Sequence, residues 1–188
     1  MSKALIIIDI QNDYFQGGNC ELVNPMEASL KAKELLEYFR KNSMPIFHVQ
    51  HINLREGAKY FLPNTKGVQI HENVKPLENE IIIEKNFPNS FLKTNLENEL
   101  KKQNIKELVL CGMMSHMCID STTRAAFDLG YVCTVVHDAC TTKDLEFLGK
   151  KVKANEVHTS FMSALGSMFA GVKSVEEVLR LLSLYKLQ

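Results

Sequence analysis

The sequence predicts an α/β protein whose mostly parallel sheet is covered by helices on both faces. Two observations carry this. Short apolar runs rich in β-branched residues alternate with segments of helical periodicity, which implies crossover connections. The runs LIII and LVLCG do not alternate with polar residues, as expected for strands buried on both faces.

The elements follow in order. Ala4–Ile8 is a β-branched run that ends in Asp9. Pro25 to Lys41 reads as an amphipathic helix with Leu30, Leu35, Leu36 and Phe39 as its apolar stripe and Pro25 near its first turn. Pro45–Val49 is a second strand. From Asn53 to Pro76, Gly57, Pro63, Gly67 and Pro76 break any regular pattern. A stretch this long without regular structure is expected to be a functional flap rather than a linker. Glu80–Ile83 is a third strand ending near Lys85, and Ser90 to Asn104 a helix with Phe91, Leu92, Leu96 and Leu100 inward. Glu107–Gly112 is the fourth strand. A helix from His116 to Leu129 is closed by Gly130 at its C′ position. Tyr131–His137 is the fifth strand, Leu145 to Met168 is read as largely helical, Val172 as a brief sixth strand, and Val175–Leu182 as the last helix.

The 188 residues suit one domain, expected to span 1–188, with no internal repeat. Twenty-two basic and 22 acidic residues cancel, so nothing favours nucleic acid or an anionic membrane as a partner. No apolar run reaches the ~20 residues of a membrane span. The start, MSKALIIIDIQ, has an acidic residue and no small-residue cleavage site, so a signal peptide is not expected and the cytoplasm is the default location. Five cysteines, widely spaced and odd in number, argue against a disulfide framework or a zinc ribbon.

In open parallel sheets ligands bind beyond the carboxyl ends of the strands. Asp9, Lys85 and the turn GMMSHMC all fall there. Cys118 follows the fourth strand at the start of a helix, where free N–H groups and the helix dipole favour a thiolate and accommodate an oxyanion. That position predicts a lowered thiol pKa and selective alkylation near neutral pH. Each residue also has a plain structural reading: a buried thiol, a turn aspartate, a solvated lysine.

Taken in order, ALIIIDIQNDYF, IIIEKNFPNSFLKTNLENEL, LVLCGMMSHMCIDSTTRAAFDLGY and VVHDACTT resemble the isochorismatase-like cysteine hydrolases, which include nicotinamidases, N-carbamoylsarcosine amidases and streptothricin hydrolase-type enzymes. The resemblance implies a three-layer α/β/α sandwich on a parallel six-stranded sheet. It implies a catalytic triad of Asp9, Lys85 and Cys118. It further implies a cis peptide between Met113 and Met114, with the backbone N–H groups of Met114 and Cys118 as oxyanion hole. The expected activity is hydrolysis of a C–N bond in a small amide or carbamoyl compound through a thioester. An isochorismatase-type reaction, a catalytically silent binding or scaffold relative, and a redox-responsive thiol protein are the alternatives.

Nicotinamidases of this family carry a metal on a DxH pattern after the second strand. Here the stretch is FHVQHINL, and the aspartate is absent. His48 reads as a strand residue, while His51 and His71 remain as pocket candidates. No metal or other cofactor is expected. The substrate pocket is expected from Phe15, His51, Tyr60, Phe61, Phe87, Ser115 and His116, whose rings suit a small planar or apolar molecule. His158 is read as core or interface. The resemblance also implies a homo-oligomer, for which VEEVLRLLSLY offers an apolar helix face.

Overall fold

The computed structural model describes residues 2–184. Strands β1 (Ser2–Ile8), β2 (Ile46–His51), β3 (Ile81–Lys85), β4 (Ile105–Met113), β5 (Val132–Thr141) and β8 (Gly171–Lys173) form one six-stranded sheet in the order β3-β2-β1-β4-β5-β8. Every pairing in it is parallel. The continuous apolar runs occupy the centre of this sheet, as predicted. Residues Ala4 to Ile8 and Leu108 to Cys111 are all buried.

Helices α1 (Pro25–Lys41), α2 (Leu96–Lys102), α3 (Asp120–Asp128), α4 (Ala154–Met168) and α5 (Val175–Leu184) cover the sheet. From β1 the chain winds outward through α1 to β2 and β3. It then returns to the other side of β1 and winds the opposite way through α3 to β5. Right-handed crossovers place α1 and α3 on opposite faces. Consistent with two layers, α1 contacts α5, and α3 contacts α4. The direction in which the chain adds strands reverses between β1 and β4, so their carboxyl ends form the crevice where such folds bind ligands.

Three sequence expectations are corrected. Helix α2 begins at Leu96, not at Ser90. Residues 90–94 form turns because Asn89 and Thr94 spend their side chains on local backbone: Asn89 Oδ1 accepts the Phe91 N–H, and the Thr94 hydroxyl donates to Ser90 O. Leu92 is accordingly 45% exposed, while Leu96 and Leu100 point inward. The segment from Leu145 opens with a hairpin, β6 (Leu145–Phe147) and β7 (Lys150–Val152), before α4. Leu148 and Gly149 both take left-handed φ, as a two-residue hairpin turn requires. In α1, Leu30 is 47% exposed, and Ala28, Ala32, Leu35, Leu36 and Phe39 make the buried stripe instead.

Glu80, just before β3, explains His48. Its carboxylate takes Arg40 Nε at 2.7 Å and His48 Nε2 at 2.8 Å, tying β3 to α1 and β2. Burial opposes its ionisation, but Arg40, the Leu77 N–H and His48 outweigh burial and hold its pKa at about 2. On α5, Val175, Val178 and Leu182 turn inward, and α5 contacts α1 and β5. The apolar face read from VEEVLRLLSLY is thus largely core, and its Tyr185 lies outside the described residues. Among the described residues no helix is long and apolar enough to cross a membrane.

Gly112 fixes how closely β4 approaches the end of β1. It has φ +134, and a Cβ there would lie 1.9 Å from Ile8 O. Gly112→Ala is expected to lower stability by roughly 3 kcal/mol, read as a fall in the urea midpoint. An unchanged midpoint would contradict this close approach.

Candidate active site

Asp9 is the first residue after β1. Its φ of +53 turns the chain out of the sheet, a conformation aspartate tolerates better than most residues. Its N–H still bonds Val49 O at 3.0 Å, so the turn starts inside the sheet. Lys85 ends β3, with His51 of β2 as its register partner. The Lys85 Nζ reaches past the end of β2 to Asp9 Oδ2 at 2.7 Å, and both side chains are fully buried. The same ammonium donates to Pro88 O at 3.0 Å.

Cys118 faces this ion pair, within hydrogen-bonding reach of both partners. Apart from Lys85 and the thiol, neither Asp9 oxygen has a hydrogen-bond donor among the described residues. Burial works against the charge on Lys85, but Asp9 and Cys118 outweigh it and hold the ammonium above its ordinary pKa. The expectation of a lowered thiol pKa is overturned. Cys118 is 3% exposed, and burial, reinforced by Asp9, raises its pKa despite the opposing Lys85. Ser115–Ile119 is also a π-helical turn, with α3 beginning only at Asp120, so the thiol does not sit on the first turn of an α-helix. The resting site therefore holds a thiol next to a carboxylate.

The Met113–Met114 peptide is cis, as the resemblance implied. After it, the N–H groups of Met117 and Ile119 both donate to Met114 O, at 3.1 and 3.2 Å. Ser115 and His116 are anchored from outside the turn. Ser115 Oγ bonds His158 Nδ1 at 2.7 Å, and His116 Nδ1 bonds Thr142 Oγ1 at 2.5 Å. His158, read from sequence as core or interface, thus supports the turn that carries Cys118.

His51 Nδ1 lies 3.9 Å from Asp9 Oδ2, and burial, the largest effect on this imidazole, favours its neutral form. Its ring packs 5.7 Å from Phe61, which is 5.2 Å from Tyr60. These three predicted pocket residues are brought together beside Asp9. Phe15 is placed differently: its ring stacks on His71 at 3.6 Å. The Phe87 ring lies under the Lys93 ammonium at 5.5 Å.

Three residues of DIQNDY escaped the sequence reading as site residues. Tyr14 is buried 4.7 Å from Phe61 and near enough to Cys118 and Asp9 that both add to the effect of burial in raising its pKa. Gln11 locks β1 to the end of β2, accepting from His51 N at 2.8 Å and donating to His51 O at 2.9 Å. Asp13 holds the flap: its carboxylate accepts from Phe61 N at 2.6 Å, Asn19 N at 3.2 Å and Asn19 Nδ2 at 3.1 Å. Gly67 packs so closely on that carboxylate that a Cβ would lie 2.2 Å from it. For Gln11 and Asp13 the signal was the polar residue at every second position after LIII.

The sequence model of the isochorismatase domain matches residues 3–177 of the chain. The chain belongs to the isochorismatase family. It is 52% identical to the isochorismatase family protein YddQ of Bacillus subtilis, over 96% of this chain and 100% of that protein. A crystal structure assigned to the isochorismatase hydrolases, from Oleispira antarctica, superimposes with a TM-score of 0.91 at 45% identity, covering 95% of this chain and 96% of that one. Streptothricin hydrolase of Streptomyces noursei is 29% identical over 76% of this chain and 51% of that protein. The chain is a hydrolase of this family.

The metal carried by the family's nicotinamidases does not fit here. Gln50-His51-Ile52-Asn53 spans the end of β2 and the residues after it without an aspartate, His48 is held by Glu80, and His71 stacks on Phe15 with its Nδ1 taken by the Asn73 N–H. Asp9, His51 and Cys118 do bring ligand atoms within 4.8 Å of one another. Lys85, however, already supplies the positive charge to that carboxylate.

Asp13→Ala is expected to cost about 2–4 kcal/mol, because buried N–H groups lose a charged acceptor. It should also open residues 53–68 to limited proteolysis. Cleavage at the wild-type rate would show that Asp13 does not hold the flap.

Proposed function

We propose that this hydrolase cleaves the C–N bond of a small amide or carbamoyl compound through a thioester on Cys118. The observation that carries the reading is the fully buried Asp9–Lys85 pair, 2.7 Å apart, with the Cys118 thiol against it. A buried carboxylate and ammonium without a task are costly to keep, whereas a proton acceptor, a fixed cation and a thiol together form an activated nucleophile.

In this mechanism Asp9 takes the thiol proton as Cys118 Sγ attacks the carbonyl carbon. Lys85 stabilises the sulfur anion as it forms. The oxyanion is assigned to the N–H groups of Met114 and Cys118, held by the anchored turn; losing one such donor costs ~10²–10³ in rate in other enzymes. Asp9 returns its proton to the departing nitrogen, the C–N bond breaks, and an acyl–Cys118 thioester remains. Water, deprotonated by Asp9, then attacks the thioester, and Cys118 leaves as a thiol carrying that proton. A raised thiol pKa suits this route, since the thiolate is generated only as it attacks.

The test is ammonia release from a panel of nicotinamide, pyrazinamide, N-carbamoyl amino acids and ureidoacrylate. Cys118→Ala and Asp9→Asn are each expected to lose at least ~10³-fold in kcat/KM. Cys118→Ser should fold as the wild type by circular dichroism and fall to a similar level. Full activity in Cys118→Ala would overturn the assignment.

A further inference from the structure

Next to the aromatic cluster of the site lies a depression of about 510 Å³, framed by Cys20, Arg55, Lys59, Tyr60 and Lys143, with Glu21 and Glu56 on the same rim. Tyr60 is its link to the interior. The Tyr60 ring contacts Phe61 at 5.2 Å and Tyr14 at 6.3 Å. Phe61 contacts His51, whose Nδ1 is 3.9 Å from Asp9. The depression thus abuts the aromatic cluster beside Asp9.

Three cations, Arg55, Lys59 and Lys143, share this rim. Arg40, Arg124 and Lys153 pair with Glu80, Asp120 and Asp144. Arg55, Lys59 and Lys143 form no ion pair among the described residues. Lys143 is half-buried, with its Nζ 3.8 Å from Cys20 Sγ, and it follows Thr142, the anchor of His116. Of the two rim carboxylates, Glu21 takes the Gly17 N–H at 3.4 Å, leaving three cations against two acids. After burial, Lys143 is the main effect disfavouring protonation of His116, and Arg55 adds a smaller effect on His51 behind burial, Asp9 and Lys85. Unpaired cations converging on a cleft concentrate anions there, and an ammonium or guanidinium binds a carboxylate by charge-assisted hydrogen bonds.

We propose that the substrate carries a carboxylate beyond its scissile amide, and that Lys143 and Arg55 hold it in this depression. The inference rests on the amide hydrolysis proposed above. It makes these two residues determinants of specificity, distinct from the groups that act on the carbonyl.

The test compares malonamate, succinamate and glutaramate with the neutral amides propionamide, butyramide and valeramide. In the wild type, at least one acid amide is expected to exceed its neutral counterpart about tenfold in kcat/KM. Lys143→Met and Arg55→Met should each shrink that preference several-fold, chiefly through KM. Equal turnover of both series, or variants that depress both equally, would overturn the proposal. A second arm measures glutarate binding to Cys118→Ser by calorimetry, with and without Lys143→Met. Turnover of neither series strikes the amidase reading, and the binding arm then decides the anion site alone. Binding weakened at least fivefold by Lys143→Met supports it, and absence of binding removes it.

Discussion

The buried ion pair between Asp9 and Lys85 is the constraint on which the rest of the site depends. Two full charges withdrawn from water are tolerable only when their geometry is good. Here the two residues end strands that are not neighbours, because β2 lies between β1 and β3. Strands stand about 4.8 Å apart, so the two backbones are roughly 10 Å apart. The long lysine side chain covers that gap by passing the end of β2. It does so where His51 and Gln11 lock β2 to β1. Sheet order, strand ends and ion pair are therefore one design problem rather than three.

Cys118 is delivered to the pair from the other side of the topological reversal. Strand β4 lies against β1, and Gly112 lets it approach without a side chain in the way. Beyond it, the π-helical turn is held at three points: the Met114 carbonyl, the Ser115–His158 bond and the His116–Thr142 bond. Opposite, Asp13 binds the flap at Phe61 and so sets the aromatic cluster of Tyr14, Tyr60 and Phe61. Burial from all these directions makes Cys118 a protonated thiol at rest. In the proposed mechanism the chemistry then falls to a carboxylate with few other hydrogen-bond donors, rather than to a pre-formed thiolate.

Much of this was legible in the residues. Continuous apolar runs marked the central strands, because burial on both faces leaves no alternation. Asp9, Lys85 and Cys118 stood out because each followed such a run. The misses have physical causes. Asn89 and Thr94 hold turns where helical spacing of leucines suggested a longer α2. The β6–β7 hairpin is only three residues per strand, too short for a period of two to register beside an apolar helix. The thiol pKa depends on burial by distant segments, which a local helix-dipole argument does not contain. Asp13 and Tyr14 were passed over because their partners, Phe61 and Cys118, are far along the chain.

The most direct test is acid-quenched mass spectrometry of the enzyme during turnover of the best amide in the panel. An acyl adduct confined to the peptide that carries Cys118, and absent from Asp9→Asn, is the predicted result. Sustained turnover with no adduct, or with an adduct on another residue such as Cys20, would contradict a mechanism in which the Asp9–Lys85 pair activates Cys118.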